Sequence, residues 1–467
     1  MKNTREQDLA ISSIEDNIAV NAGAGTGKTK VLTERYIHIL ENGMLKKNKE
    51  VESIVAITFT KKATQEMKER IREEIRNRFP LGDCWRRYYK DMEKANISTI
   101  HSFCSSILRE NALEANIDPM FEVLDEDEGD LLLGESILKV VRKGIEKCEN
   151  IYNAVKAFNM DDLTRVAREL KSIYYEIRNA GYSFKEVRDM TLNIIDNIEV
   201  DLDEIQYIKD TFLYLMENSR KNSKVYRLKD DDIWIDFYND SYDKCQLVPI
   251  LEHLYDNIGS NAKEEDTIGE LKARIHHIFL MKEKEYRWLY EALLELLIWI
   301  DEEYTRAKDE QGVLDFDDLQ ILVLRLLDDE AIRERYQQKF RYIMVDEFQD
   351  TNELQKRIFY RLCSDKEILD RSNLFVVGDP KQSIYGFRGA DLEVFYEVME
   401  DIEKVSGKKA ITLDRNFRTV NTVLRFINGL FQRLMGDRYT SLMEHYISPN
   451  EIDVEILEKK DLEVPDN

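Results

Sequence analysis

The sequence predicts an α/β protein: a parallel sheet covered by helices, interrupted by a large, mostly helical inserted subdomain. Three observations predict it. Short β-like runs alternate with helical patterns through the first 110 residues. From about residue 111 to about 282 the pattern turns helical, with little glycine or proline. Then β-like runs return, beginning at Tyr342.

Each element has its own signal. "NIAVNA", from Asn17, is an apolar run that leads into a glycine-rich loop. "SIVAITF", from Ser53, leads into the charged amphipathic stretch "TKKATQEMKERIREEIRNRF". "ISTIHSF", from Ile97, is a third passage from strand to helix. Within the middle block, "EGDLLLGESILKVVRKGIEKC" and "MDDLTRVARELKSIYYEIRNAGYSF" place apolar residues at helical spacing, and Gly181 ends the second. "YIMVDEF" from Tyr342, "LFVVGD" from Leu374 and "AITLDRNF" from Ala410 complete the strand set. The expected division is 1–110 and 283–412 as two parts of one sheet domain, 111–282 as the insertion, and 413–467 as the start of another lobe. The tail from about Ser441 has no distinctive chemistry.

Composition narrows the class. Of 467 residues, 43% are hydrophobic and 34% charged, and no apolar run approaches the ~18 residues a membrane helix needs. The best candidate, "LYEALLELLIWI" from Leu289, is short and carries Glu291 and Glu295. The N-terminus lacks the apolar core of a signal peptide, so the expected location is the cytoplasm, with no membrane partner. Cys84, Cys104, Cys148, Cys245 and Cys363 are scattered and read as reduced, buried thiols. Net charge is −24, which argues at first against nucleic acid. Yet residues 1–110 hold 20 lysines and arginines against 16 acids, whereas the rest hold 48 against 76. A nucleic-acid groove needs positive charge only locally, so the first segment permits one.

The chemistry begins at Ala22. Ala22, Gly23, Ala24, Gly25, Thr26, Gly27, Lys28 and Thr29 follow the phosphate-loop spacing G-x-x-x-x-G-K-[ST], with alanine in the first place. Glycines let successive amides turn toward phosphate oxygens, and the following helix N-terminus adds its dipole. Lys28 reaches the terminal phosphates of a nucleoside triphosphate, and the Thr29 hydroxyl is a Mg²⁺ ligand. Such a loop needs acids, and "YIMVDEFQD" supplies them. Asp346 serves the metal and Glu347 activates the attacking water. Gln382, beside a Gly-Asp turn at a strand end, is placed to hydrogen-bond the γ-phosphate. Tyr385 and Phe387, two residues apart, share a face on an extended segment and can stack on unpaired bases.

Taken in order, these stretches resemble a superfamily 1 DNA helicase of the UvrD/Rep/RecB group. "TREQ", "AGAGTGKT", "ITFTKKATQEM", "STIHSF", "LDFDDL", "VDEFQDTN", "VGDPKQSIYGFRGAD" and "LDRNFR" carry the resemblance, and alanine is usual at the loop's first place there. It implies a RecA-like P-loop NTPase sheet and a DNA helicase or translocase using ATP and Mg²⁺, with 3′→5′ polarity. Gln7 would read the adenine edge, Phe417 would lie against the base, and Arg418 would neutralise γ-phosphate charge. Thr58, Phe59, Thr60, Lys62 and His101 would join Tyr385 and Phe387 on single-stranded DNA near duplex junctions. The acidic and Gly-Asp motifs lean toward the AddA/RecB branch, in which a nuclease or helicase partner subunit is expected. Stretches of the T-x-H-x-x-K-G-x-E and Y-V-A-x-T-R kinds, expected of a second lobe, are not found, so the chain reads as an N-terminal part. Two alternatives remain: a non-catalytic DNA- or partner-binding scaffold that keeps one lobe, and a helicase–nuclease subunit cut short.

Overall fold

A computed structural model describes residues 3–157, 163–197, 202–243, 246–259, 265–279, 283–365, 368–386, 389–436 and 439–444. Six strands form the main sheet: β1 (Ile18–Ala22), β2 (Ile54–Thr58), β3 (Asn96–Thr99), β4 (Tyr342–Val345), β5 (Leu374–Gly378) and β6 (Ile411–Leu413). Their order is β3-β2-β4-β5-β1-β6, and every pairing is parallel. Registers such as Ala56 opposite Met344 and Val20 opposite Val377 fix the ladder.

The apolar runs of β2, β4 and β5 are explained by burial on both faces, as parallel sheets require. Alternate residues serve opposite layers. Val55, Ile57, Val345 and Val376 join Phe103, Phe348 and Phe395 on one side. Ile54, Ala56, Met344 and Val377 join Val31, Tyr36 and Ile71 on the other. Helices α1 (Arg5–Ser12), α2 (Lys28–Asn42) and α3 (Lys61–Asn77) supply the second layer. Helices α4 (Ile100–Glu110), α5 (Phe316–Leu326), α6 (Glu353–Cys363) and α7 (Leu392–Ser406) supply the first.

The chain divides into two compact units. One comprises 1–129, 178–181 and 308–467; the other comprises 130–177 and 182–307. The second unit is helical, with one core around Val141, Leu170, Tyr174 and Leu297 and another around Phe212, Trp234, Phe237 and Leu271. These boundaries differ from the expected 111 and 282. The change of sequence texture marks where helices begin, not where contacts change hands. The helix Arg287–Gln311 packs Leu297 and Ile300 within the insertion, yet its Lys308 belongs to the sheet unit. The brief return at 178–181 left no mark in the hydrophobic pattern.

That return has a chemical reason. Asp315 caps α5 in a reciprocal box: its Oδ1 accepts from the Asp318 amide at 2.7 Å, and Asp318 Oδ2 accepts from the Asp315 amide at 3.1 Å. Two buried cations meet this acid pair. Lys308, 2% exposed, donates to both carboxylates, at 2.7 Å for Asp315. Arg178 Nη2 donates to Asp318 Oδ1 at 2.7 Å. Burial penalises the Asp315 carboxylate, but Arg178 and Lys308 outweigh it and hold its pKa well below the ordinary range. "LDFDDL" is therefore a structural clamp that seats residue 178 and residue 308 on one helix start.

Asp317 stands beside the clamp and gains less from it. Burial pushes its carboxyl up to about 6, against the help of Arg178. A carboxyl whose folded pKa lies above its unfolded value of about 3.9 favours folding when protonated. Its ionisation therefore costs stability above pH 6, and acidifying from 6 toward 4 removes that cost. Asp317→Asn should raise the melting temperature at pH 8 and shrink the gain that wild type shows on moving to pH 5.5, measured by thermal melts at the two pH values.

Candidate active site

In a parallel sheet all strands leave by the same edge, which is where such folds place ligands. Here β1 exits into the glycine-rich loop and β2 into Phe59. From β3 the chain passes to His101, from β4 to Asp346 and from β5 to Asp379, while β6 leads to Asn416.

The loop is built by its own backbone and by neighbours that grip its carbonyls. Gly25 (φ +73°) and Gly27 (φ +89°) lie in the left-handed region. Space forbids a side chain there as well. A Cβ on Gly25 would lie 2.8 Å from Asn416 Nδ2, and one on Gly27 would lie 3.1 Å from Gln7 Nε2. The Thr26 hydroxyl donates to Gly23 O at 2.7 Å and closes the turn. Three successive carbonyls are then held from outside. Asn416 Nδ2 donates to Ala24 O at 2.7 Å, the Phe417 amide to Gly25 O at 2.8 Å, and Gln7 Nε2 to Thr26 O at 2.9 Å. The Gly23 and Thr26 amides are bonded within the chain, to Leu413 O and Gly23 O at 3.3 Å each, so the other loop amides and the first-turn amides of α2 are the donors suited to an anion. The alanine at Ala22 is the last residue of β1 and fully buried.

The acids arrive from β4. The Asp346 amide donates to Ile57 O at 2.9 Å, which extends the ladder one residue past the strand. Glu347 follows with φ +51°, a left-handed conformation that costs a non-glycine residue about 1 kcal/mol or more. That turn brings Glu347 Oε2 to 2.6 Å from Lys28 Nζ. The lysine of the loop and the acid of a strand two places away in the sheet are thus in direct contact. Asp346 is half-buried, and desolvation first, then the Glu347 charge, pushes its carboxyl up to about 7. Its Oδ1 accepts from the Glu347 amide at 3.0 Å. Asp346, at the end of β4, and the Thr29 hydroxyl, at the start of α2, are oxygen donors of the kind a hard cation such as Mg²⁺ prefers.

The remaining sites group as follows. Gln382 Nε2 donates to Asp379 Oδ2 at 2.6 Å at the end of β5. Arg418 is exposed and lies against the loop, its Cβ 2.9 Å from the position of a Gly25 Cβ. Phe417 is half-buried on the same loop. Phe59, next to the end of β2, and Tyr385, in the segment after β5, pack tilted at 38° with ring centres 4.5 Å apart. Phe387 lies outside the described residues. Thr60 caps α3 by accepting from the Ala63 amide at 3.1 Å, and Lys62 is exposed on the first turn.

Three residues hold positions the sequence did not foresee. Thr58 is 1% exposed and its hydroxyl meets Thr64 Oγ1 at 2.6 Å, so it braces the start of α3 instead of facing outward. Gln7 is 2% exposed and its amide is committed to Thr26 O and, at 3.0 Å, to the Thr4 amide. It supports the loop directly. His101 packs against Phe316, tilted at 35° with ring centres 4.5 Å apart, and burial lowers its pKa to about 4, so the ring is neutral near pH 7. Sequence reasoning missed Asn416, Asp379 and Gln349. Their partners lie up to hundreds of residues away, and no local spacing signals them.

A glycine cradle at a parallel sheet edge, a lysine at the helix start and two acids across from it define a P-loop nucleotide-binding protein. The chain belongs to the UvrD/REP helicase N-terminal domain family, which it matches over residues 3–403. It is similar to a protein of Ligilactobacillus salivarius named as the A subunit of an ATP-dependent helicase/nuclease, at 31% identity over 94% of this chain and 39% of that protein. The proteins of that name from Alkaliphilus oremlandii and Bacillus pumilus are each 30% identical over 93% of this chain. The chain spans about 40% of the length of these relatives. Among the described residues no helix is long and apolar enough to cross a membrane.

Asn416 is 2% exposed, and besides donating to Ala24 O it accepts from the Arg418 and Thr419 amides at 2.8 and 2.7 Å. Asn416→Ala should cost about 2–3 kcal/mol, with buried loop groups left unpaired. Urea melts measure the loss, and hydrogen exchange should show faster opening confined to residues 23–29 and 415–419.

Proposed function

We propose that this chain is the ATP-binding part of a DNA helicase or translocase that hydrolyses ATP on single-stranded DNA and moves 3′→5′. The observation that carries the reading is the 2.6 Å contact between Lys28 and Glu347 across the strand ends. In this reading the triphosphate lies on the amides of Ala24, Gly25 and Gly27, with Lys28 at its terminal phosphates and Gln382 toward the γ-phosphate. Thr29 and Asp346 hold Mg²⁺, which when bound draws charge from the phosphate oxygens. Glu347 accepts the proton of the attacking water. Arg418, exposed beside the loop, neutralises charge on the transferring group. Gln7 and Phe417 form the base end of the site, in line with their contacts to Thr26 and Gly25.

The Phe59–Tyr385 pair is the platform for unpaired bases, with Thr60 and Lys62 beside it. Residues from 413 onward begin a second lobe whose motion against the first would drive translocation. By the names of its relatives the whole protein would be the helicase/nuclease subunit of an AddA type, working beside a partner subunit. Cys84, Cys104, Cys148 and Cys363 are free thiols, in keeping with a reducing, cytoplasmic setting.

With Mg²⁺ and single-stranded DNA, Lys28→Ala should reduce ATP turnover by about 100-fold or more in a steady-state phosphate-release assay. Turnover equal to wild type would remove the central assignment.

Removing either ring of the stacking pair should weaken binding to the strand by ~1–3 kcal/mol, about 5- to 150-fold. Fluorescence anisotropy with a labelled oligothymidine reads this for Phe59→Ala and Tyr385→Ala. Unaltered affinity in both would place the DNA elsewhere.

A further inference from the structure

Gln349 lies two residues past Glu347, in the turn after β4, and is 1% exposed. Its side chain is used at both ends. Nε2 donates to Glu347 Oε2 at 3.0 Å and to Asp350 Oδ2 at 3.1 Å. Oε1 accepts from the Asp379 amide, at the end of β5, at 2.9 Å. Its main-chain carbonyl accepts from the Ser383 hydroxyl at 3.2 Å. The residue therefore joins the carboxylate read as the general base to the turn that carries Gln382 and leads to Tyr385. The fit is tight. A Cβ on Gly378 would lie 2.6 Å from Gln349 Oε1, so the β5 end must be glycine for the amide to enter.

We propose that Gln349 is the positioning residue of Glu347, and that it couples the base to the 379–385 turn. The proposal rests on the ATPase reading above. Glu347 Oε2 has two donors here, Lys28 Nζ at 2.6 Å and Gln349 Nε2 at 3.0 Å. Lys28 is also the group that a triphosphate on the loop attracts. An ammonium drawn toward phosphate leaves the amide of Gln349 as the fixed donor on the base. A carboxylate in a strained left-handed turn, with a single remaining donor, takes its direction from that donor. The same amide is anchored on the Asp379 N–H, and Asp379 accepts from Gln382 at 2.6 Å. A shift of the Gln382–Tyr385 segment is thereby felt at Glu347 through three hydrogen bonds in series. The burial that pushes Asp350 up to about 6 fits the same closed pocket, because its Oδ1 has no hydrogen-bond partner among the described residues.

Gln349→Met keeps the length and apolar volume of the side chain and removes both hydrogen bonds. In the variant, the kcat for ATP with single-stranded DNA should fall about 10- to 100-fold. The Kd for a fluorescent ADP analogue should stay within about threefold, and the melting temperature close to wild type. That split marks lost orientation of a catalytic group, not lost binding. Hydrogen exchange supplies a readout independent of turnover: exchange of the Asp379 amide should accelerate about tenfold or more. An unchanged kcat overturns the proposal, as does a parallel loss of nucleotide affinity. Unchanged Asp379 exchange overturns it whatever the turnover. If wild type itself fails to hydrolyse ATP while Asp379 exchange accelerates in the variant, the ATPase reading falls and the bridge between the two turns stands.

Discussion

Everything at the candidate site depends on parallel pairing. Six strands run the same way, so six unrelated stretches of sequence leave the sheet at one edge. Lys28 and Glu347 are 319 residues apart in the chain and 2.6 Å apart in space. An antiparallel partner at any central position would send its following loop to the far edge. The apolar runs of β2, β4 and β5 are what enforce the arrangement, since burying both faces leaves no room for an amphipathic strand. The chemistry of the edge is thus a consequence of the hydrophobic pattern behind it.

The protein treats buried carboxylates in two ways, and the contrast separates frame from site. At α5, Asp315 and Asp318 have Lys308 and Arg178 as permanent cations, and the Asp315 pKa falls accordingly. At the strand edge, Asp346 is equally secluded, but the nearby Lys28 is shared with Glu347, and the Asp346 carboxyl rises to about 7. A charge pair that is complete within the chain fixes structure. At the strand edge one lysine serves two carboxylates, which accords with the proposed binding of phosphate and Mg²⁺ there. Glu347 adds backbone strain to the same locus, as the positive φ attests.

Much of this was legible in the sequence, and the reasons for the gaps are physical. The strands and the loop were legible because apolar runs and glycine spacing are local signals. That Lys28 and Glu347 meet was legible because residue types at fixed offsets in the glycine-rich and acidic stretches point to one another. The grip on the loop was not. Asn416 reaches Ala24 across 392 positions, and Gln349 reaches Asp379 across 30, and neither residue type announces a partner. Thr58 and Gln7 show the opposite case. Their types suit an exposed contact, but burial turns their polar groups inward to satisfy the frame. The unit boundaries at 129 and 307 escaped because helices continue through them, whereas sequence pattern detects helices and not allegiance.

A net charge of −24 and a proposed DNA contact are reconciled by where the contact lies. The stacking pair draws Phe59 from the first 110 residues, a long segment with an excess of basic residues. Lys61 and Lys62 are exposed at the start of α3, directly after it. Stacking on aromatic faces carries no charge cost, so base contact through Phe59 and Tyr385 does not require a basic surface at large. Under the proposed function the acidic remainder would act as a constraint, since like charge repels a polyanion. The strand edge that gathers the phosphate chemistry also presents those rings, since β2 and β5 end there. Under the proposed function, one strand edge would then serve both nucleotide and strand.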